Sequence, residues 1–169
     1  MDNLVFMDNL VIKKLCALCI PFFALIQTPA FAEPDVSEEH RAIFTAAGFK
    51  YANGAWRGKC SFGHISLIKD FNGDGRDDAI IKDGGTRCYA HTGIGFHLVT
   101  KQANNKWTRI LNSPGEPVFL KTIGRHGWPD LAITNSTQCH QILSWDGAQF
   151  VKTRQEFKGR PCILPNSKE

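Results

Sequence analysis

The sequence lacks the features that mark several specialised classes of protein. Its longest apolar run, Leu15 to Ile26, has 12 residues, whereas a membrane-spanning helix needs about 20. No segment concentrates lysine and arginine, as nucleic-acid-binding proteins usually do, and the 169 residues carry a net charge of only +4. The signatures Gly-x-Ser-x-Gly, His-Glu-x-x-His and Gly-x-Gly-x-x-Gly are all missing. We therefore expect neither a common hydrolase or dinucleotide-binding enzyme nor a nucleic-acid partner.

The composition that remains is that of an ordinary folded domain. Hydrophobic residues make up 43% of the chain and charged residues 21%, which is typical of globular proteins. A domain usually has about 100–200 residues. One domain is therefore expected, and its mild positive charge needs no explanation beyond solubility.

Residues 1–32 have the pattern of a secretory signal peptide. Lys13 and Lys14 precede the apolar run, and residues 30–32 form the Ala-x-Ala pattern that signal peptidases require. We expect cleavage after Ala32, which would leave residues 33–169 as a periplasmic or secreted protein without a membrane anchor. An uncleaved anchor is the alternative, and the shortness of the apolar run argues against it.

Four cysteines follow the predicted signal peptide: Cys60, Cys88, Cys139 and Cys162. An even number of cysteines in an exported chain favours disulfides, and four cysteines allow three pairings. We prefer Cys60–Cys88 with Cys139–Cys162, because each pair then lies within one of the repeats described below. Buried free thiols are the alternative. No Cys-x-x-Cys remains after residue 32, which leaves a zinc ribbon or a thioredoxin-like redox site unsupported.

One short helix and then a series of strands are predicted after the signal peptide. Asp35 or Ser37 can cap the start of the helix, and Gly48 can end it. The pair Asn53-Gly54 suits the type I′ turn of a hairpin. Short apolar segments then recur between turn residues, as in antiparallel β-structure. These segments are 65–68, 79–81, 96–99, 107–110, 118–120, 131–133, 141–143 and 150–151.

The two halves of this β-region resemble each other. Leu67-Ile68-Lys69 leads through a glycine-containing loop to Asp78-Ala79-Ile80-Ile81. Phe119-Leu120-Lys121 leads through another to Asp130-Leu131-Ala132-Ile133, which begins 52 residues after its counterpart. Chance similarity between two meanders is the alternative to a true repeat.

Repeats of about 50 residues with about four strands each suggest the blades of a β-propeller. We therefore predict a mainly β fold with two propeller-blade-like antiparallel repeats and one short helix before them. The helix and hairpin would occupy residues 33–59, the first repeat 60–112 and the second 113–169 of a single domain.

The sharpest motif is the loop of nine residues from Asp70 to Asp78. Oxygen side chains at alternate positions can surround a calcium ion, and glycines between them allow the tight turn. An EF-hand would need an acidic residue at position 12, which is Ile81 here, so position 9 closes the site instead. The expected ligands are Asp70, Asn72, Asp74, Asp78 and the backbone carbonyl of Arg76. An Asx-rich turn without an ion is the alternative, although four acids in nine residues repel one another.

Residues 67–81, which contain this loop, resemble the FG-GAP/VCBS repeat, the calcium-loop blade of integrin-α-type β-propellers. The resemblance covers about residues 64–111 and implies Ca²⁺ binding by the ligands just named. The second repeat has Thr122, Gly124 and His126 at the positions of the first three ligands, so we expect no calcium there. Because such repeats host many functions, the resemblance bears on the fold more than on the activity.

Aromatic residues provide the remaining functional signal. Four tryptophans are many for a chain of this size, and packing of the core explains most of them. Trp128, however, lies in the glycine-containing loop of the second repeat. If it is exposed there, it forms a binding surface with Arg125 and His126, which are residue types favoured at interfaces.

These observations predict an exported, disulfide-bonded and calcium-stabilised binding protein that is not an enzyme. Its partner would be another exported protein or a cell-wall glycan, and an inhibitor or immunity protein is the sharpest version. The alternative is a periplasmic cell-wall hydrolase with dispersed Asp and His residues. A histidine and an aspartate meeting in a deep cleft would favour the hydrolase, and an exposed loop surface rich in tryptophan and arginine would favour the binder.

The exported chain is expected to begin at Glu33 and to contain no free thiol, because signal cleavage and oxidation both precede its release. The intact mass of the secreted protein, before and after alkylation without reductant, measures both features. Alkylation after reduction and unfolding should modify all four cysteines. Modification of two or more cysteines without reductant would contradict the disulfide prediction.

Overall fold

The computed structural model describes residues 37–135 and 139–162, so the predicted signal peptide lies outside the described residues. The elements follow the predicted order of one helix and then strands, which confirms the mainly β fold. The first part contains α1 (Glu38–Ala47), β1 (Lys50–Ala52) and β2 (Ala55–Arg57). The first sheet contains β3 (His64–Lys69), β4 (Asp78–Gly84), β5 (Ile94–Lys101) and β6 (Trp107–Pro114), with the helical turn α2 (Thr86–Tyr89) between β4 and β5. The second contains β7 (Glu116–Ile123), β8 (Pro129–Thr134), β9 (His140–Trp145), β10 (Phe150–Phe157) and β11 (Arg160–Pro161).

Helix α1 begins and ends at residues that favour helix termini. The Ser37 side chain caps it by accepting a hydrogen bond of 3.2 Å from the N–H of His40. Gly48 ends it in the left-handed conformation, with φ of 95°. The helix buries Ile43, Phe44 and Ala47 against the first sheet. Of the two predicted caps, Ser37 is therefore confirmed, and Asp35 lies outside the described residues.

The predicted hairpin is also present. Strands β1 and β2 pair in antiparallel fashion around Asn53 and Gly54, whose φ angles are 52° and 76°. Both angles lie in the left-handed region that a type I′ turn requires. The ring of Trp56 stacks on Phe44 with a centroid distance of 4.8 Å, which joins the hairpin to the helix.

Each predicted repeat forms an antiparallel meander. Strands β3 to β6 are neighbours in chain order in one sheet, and strands β7 to β10 are neighbours in chain order in the other. All eight apolar segments predicted from the sequence lie within these eight strands. Strand β11 extends the edge of the second sheet beside β10. The two blade-like repeats are therefore four strands each, with one added edge strand in the second.

The first sheet is covered on both faces. On β4, Ile80 belongs to a core shared with the second sheet, whereas Ala79 and Ile81 pack under α1. This division follows from the strand geometry, because successive side chains point to opposite faces. Burial of a large aliphatic side chain contributes about 1.5–3 kcal/mol, so both contacts stabilise the same central strands. The second sheet contributes Trp128, Leu131, Ile133, Leu143 and Phe150 to the shared core.

Two disulfides are present, in the preferred pairing. Cys60–Cys88 joins residues 28 apart in the chain, and Cys139–Cys162 joins residues 23 apart. Closing loops of this size typically stabilises a fold by about 3 kcal/mol. Two such bonds indicate an oxidising, exported environment. Among the described residues, no helix is long and apolar enough to cross a membrane.

Candidate functional site

The loop between β3 and β4 is organised by its own polar side chains. The carboxylate of Asp70 accepts hydrogen bonds from the N–H groups of Gly73, at 2.7 Å, and Gly75, at 2.9 Å. Asn72 Oδ1 accepts one from the N–H of Asp74 at 3.0 Å. Gly73 and Gly75 have φ angles of 74° and 80°, which glycine adopts at little cost. The residues with oxygen-containing side chains and the glycines that alternate with them therefore form one tight loop, as predicted.

The charges of this loop are only partly compensated. Although burial opposes ionisation of Asp70, the N–H groups that point at its carboxylate lower its pKa overall. Asp74 is paired with the guanidinium group of Arg76 at 2.6 Å. The same guanidinium donates a hydrogen bond from Nε to the carbonyl of Lys101 at 3.0 Å, which ties the loop to the end of β5.

Asp78 is the exception, because it is fully buried at the start of β4. Its Oδ2 accepts a hydrogen bond from the N–H of Phe71 at 2.9 Å, but its Oδ1 has no hydrogen-bond partner among the described residues. Burial raises the pKa of Asp78 to about 6; the Thr100 hydroxyl and the Phe71 amide oppose this effect, and the charges of Asp74 and Asp70 add to it. No basic side chain of the described chain pairs with Asp78.

The corresponding acid of the second repeat is neutralised within the protein. Asp130 is also buried, and it accepts hydrogen bonds from Arg154 Nη1 at 2.9 Å and from Ser144 Oγ at 2.7 Å. Gly127 has φ of 83°, close to the 80° of its counterpart Gly75. The two loops therefore share a backbone feature, while only the second has a built-in cation for its buried carboxylate.

The predicted ligands lie in one loop, but their side chains are not arranged around a common point as in a metal site. Among the described residues, no three side chains of His, Cys, Asp or Glu are grouped as metal ligands would be. Asp74 Oδ2 is engaged by Arg76 and also accepts a hydrogen bond from Asn72 Nδ2 at 3.2 Å. The donor set is nevertheless made of oxygen atoms, which suits a hard cation. A cation bound here would also provide a partner for Asp78 Oδ1, which has none among the described residues. Calcium binding stays a prediction.

The second loop differs from its prediction at Trp128. This side chain is only 4% exposed, and its ring packs against Trp145 and Phe150 with centroid distances of 5.8 and 5.5 Å. The expectation that Trp128 is exposed is therefore wrong, because the residue leads into β8 and fills the core between the sheets. His126 is exposed and has φ of 63°, an uncommon conformation for a residue other than glycine. The predicted binding surface with Arg125 thus loses its central aromatic.

The two loops meet, which the sequence did not reveal. A Cβ atom on Gly127 would lie 2.7 Å from the carbonyl oxygen of Asn72, so only glycine permits this approach. A Cβ atom on Gly147, in the hairpin between β9 and β10, would lie 3.2 Å from His126 Nε2. The loops and this hairpin border a cleft of about 490 Å³. We call it the interloop cleft, and its lining includes Asn72, Asp74, Gln102, Thr108, His126 and Trp145.

A second cleft, of about 590 Å³, opens where α1 ends. We call it the helix-end cleft; Asp83 and His97 lie in its lining and both are buried. Tyr89 donates a hydrogen bond of 2.5 Å to Asp83 Oδ1, and His97 Nε2 lies 3.7 Å from the same oxygen. Neither ring nitrogen of His97 has a hydrogen-bond partner among the described residues, and the ring of Phe49 stands edge-on to it at 5.1 Å.

Burial is the main cause of the lowered pKa of His97. The charge of Asp83 opposes this shift, and the charge of Arg109 adds to it. The lowered pKa therefore favours the neutral form of His97. The sequence predicted only dispersed Asp and His residues for a hydrolase; His97 and Asp83 meet because of the register that pairs β4 with β5.

Comparison with known proteins gives no family assignment. No protein-family model matches the chain, no curated protein matches it, and no solved structure matches it. The function proposed below therefore rests on the geometry of the first loop and of the two clefts.

The lowered pKa of His97 predicts a loss of stability in mild acid. The unfolded chain binds the proton near pH 6.5 and the folded chain only at lower pH, so this contribution is complete above pH 6.5 and is lost as the pH falls below it. The His97→Gln variant should lose less stability than the wild type between pH 7.5 and about 5. Urea unfolding across this range measures the difference. Asp83, Tyr89 and Arg109 face the ring and are unchanged in the variant.

The exposed His126 provides the matched control for this experiment. His126→Gln should leave the pH dependence of the free energy of unfolding as it is in the wild type. Identical pH profiles for His97→Gln and the wild type would show that burial of His97 does not govern acid stability.

Proposed function

We propose that this chain is an exported binding protein without catalytic activity, stabilised by calcium at an FG-GAP/VCBS-type loop in its first sheet. Its ligand would be another envelope or secreted protein or a cell-wall glycan, and its place the periplasm or the exterior of the cell. An inhibitor or immunity protein is the sharpest form of this proposal. The interloop cleft is the observation that supports this proposal. It is lined by both repeats, and it contains polar side chains that make no hydrogen bond to another described residue.

The calcium part of the proposal follows from a difference between two buried acids: Asp130 is paired with a basic side chain, and Asp78 is not. Burying an ionised carboxylate without a partner costs several kcal/mol, and Arg154 removes this cost for Asp130. Asp78 accepts a hydrogen bond from the Phe71 amide, but no basic side chain of the described chain pairs with it. A bound Ca²⁺ would supply the missing positive charge.

The ion would be held by the five expected ligands of the first loop. Asp74 would exchange its pairing with Arg76 for the ion, while Asp78 would offer the oxygen that now lacks a partner. The role of the ion would be structural: it would fix the loop that forms one wall of the interloop cleft. Asp70, Asn72, Asp74, Asp78 and the carbonyl of Arg76 would be its ligands.

Backbone strain also marks the interloop cleft. His126 adopts a left-handed conformation that costs a residue other than glycine on the order of 1 kcal/mol. Such strain is found most often at binding and active sites. Here the strained turn holds the histidine ring beside Gly147 at the edge of the cleft.

One observation favours the hydrolase as a second candidate. His97 and Asp83 meet in the helix-end cleft, as a pair of acid–base residues would. A general base must, however, come within hydrogen-bonding distance of its substrate, and both ring nitrogens of His97 are sealed from solvent. Asp83 Oδ1 is already held by Tyr89. The binding protein is therefore the better supported function.

Calcium should raise the melting temperature of the wild-type protein, because it would bind the folded loop alone. At an ion concentration of 100 Kd the stabilisation is about 2.7 kcal/mol. Asp74→Ala should abolish the difference between melting curves in calcium and in chelator. His126→Ala, at the corresponding position of the second loop, should keep it. A calcium shift of equal size in Asp74→Ala would place the ion elsewhere or reduce the loop to a turn.

Purified cell walls test the hydrolase directly. The wild-type protein should release no soluble fragments from them, and His97→Gln should behave in the same way. Both incubations are followed by chromatography of the supernatant. Release by the wild type that is lost in His97→Gln would establish the hydrolase at the helix-end cleft and overturn the proposal of a non-catalytic protein.

A further inference from the structure

We infer that the interloop cleft binds a glycan chain rather than the surface of another protein. The inference rests on the proposed binding function and adds the class of ligand. It follows from three features of the cleft, which are its volume, the chemistry of its lining and the contact that joins its walls.

The volume of the cleft suits a small ligand. Its volume of about 490 Å³ lies within the range of about 300–1,000 Å³ found for sites that enclose small molecules. A stable protein partner instead buries about 800 Å² on each side and uses apolar anchors. The large apolar side chains most exposed in the described residues lie outside this cleft; they are Phe62, Leu67, Val118 and Ile123.

The lining combines an aromatic ring with unused hydrogen-bonding groups. Trp145 is partly exposed and is backed by Trp128 at 5.8 Å, so it can present a fixed apolar surface to the C–H face of a sugar ring. The side chains of Gln102 and Thr108 are exposed, and no hydrogen bond from them to another described residue occurs. An amide and a hydroxyl each donate and accept, as recognition of sugar hydroxyl groups requires.

Charge in the cleft argues for a neutral or weakly charged glycan. Asp74 and Arg76 line one side and neutralise each other at 2.6 Å. With Ca²⁺ in the first loop, the charges of the ion and of Arg76 would instead balance the three carboxylates among the expected ligands. The ammonium group of Lys101 is directed to Glu39 on α1, at 3.0 Å. His126 stands on the opposite wall and makes no hydrogen bond to another described residue through its ring. The cleft therefore offers no concentrated charge that would select a strongly anionic or cationic ligand.

The walls are held in place before any ligand arrives. Thr108 on β6 and Gln102 in the turn after β5 belong to the first repeat, whereas His126, between β7 and β8, and Trp145 on β9 belong to the second. The two walls are joined where Gly127 approaches the carbonyl of Asn72. Because this contact joins the walls without a ligand, fewer groups have to be ordered on binding, which favours affinity.

Two probes test this inference: soluble oligomers of N-acetylglucosamine, by calorimetry, and purified insoluble peptidoglycan, by co-sedimentation. The wild-type protein should bind at least one of them. Gln102→Ala and Thr108→Ala should each weaken binding about fivefold, the effect of losing one hydrogen bond. Both side chains are exposed, so the melting temperature should stay at the wild-type value. Thr45→Ala, on the exposed side of α1, is the matched control and should bind as the wild type does.

Failure of the inference can be separated from failure of the proposed function. Absence of binding to both probes, or binding that Gln102→Ala and Thr108→Ala leave unchanged, overturns the glycan assignment. A protein partner whose capture from envelope extract is lost in these two variants, but not in Thr45→Ala, also overturns it. That last result would leave the proposed binding function standing, with a protein as the ligand.

Discussion

The two central strands of the first sheet, β4 and β5, are buried on both faces. The first loop and the helix-end cleft, which lie at opposite ends of these strands, both depend on this constraint. Helix α1 covers one face of these strands and the second sheet covers the other. A doubly covered strand has no solvent for its polar side chains, so each polar residue on it needs a partner inside the protein. Four of the five buried polar residues of the described chain lie on β4 and β5: Asp78, Asp83, His97 and Thr100.

These four residues divide between the two ends of the strand pair. Asp78 is paired in register with Thr100 at the end next to the first loop. Asp83 and His97 lie toward the other end, near the close of α1. Tyr89 satisfies one oxygen of Asp83, while one oxygen of Asp78 and both ring nitrogens of His97 are left without partners in the described residues. The unsatisfied groups therefore mark where an ion or a proton would alter the stability of the fold.

The second repeat has the same order of strands as the first, but its buried acid has a different partner. Its buried acid is neutralised by Arg154, so its loop does not need a cation and is free to carry other residues. The glycines at 127 and 147 bring this loop against its counterpart and against the neighbouring hairpin. The second loop thus forms one wall of the interloop cleft, while the first loop supplies the other wall.

The sequence by itself determined the features that depend on neighbouring residues. Ser37 caps a helix and Asn53-Gly54 turns a hairpin because their interactions reach only a few positions along the chain. The alternation of apolar residues and the repeat likewise located eight strands and the disulfide pairing. The turn α2 escaped prediction because four residues are too few to show a helical period. Only the tertiary structure decided that Trp128 is buried, that the two loops meet and that His97 lies beside Asp83. Each of these outcomes depends on the register and packing of segments far apart in the chain, and no local pattern encodes them.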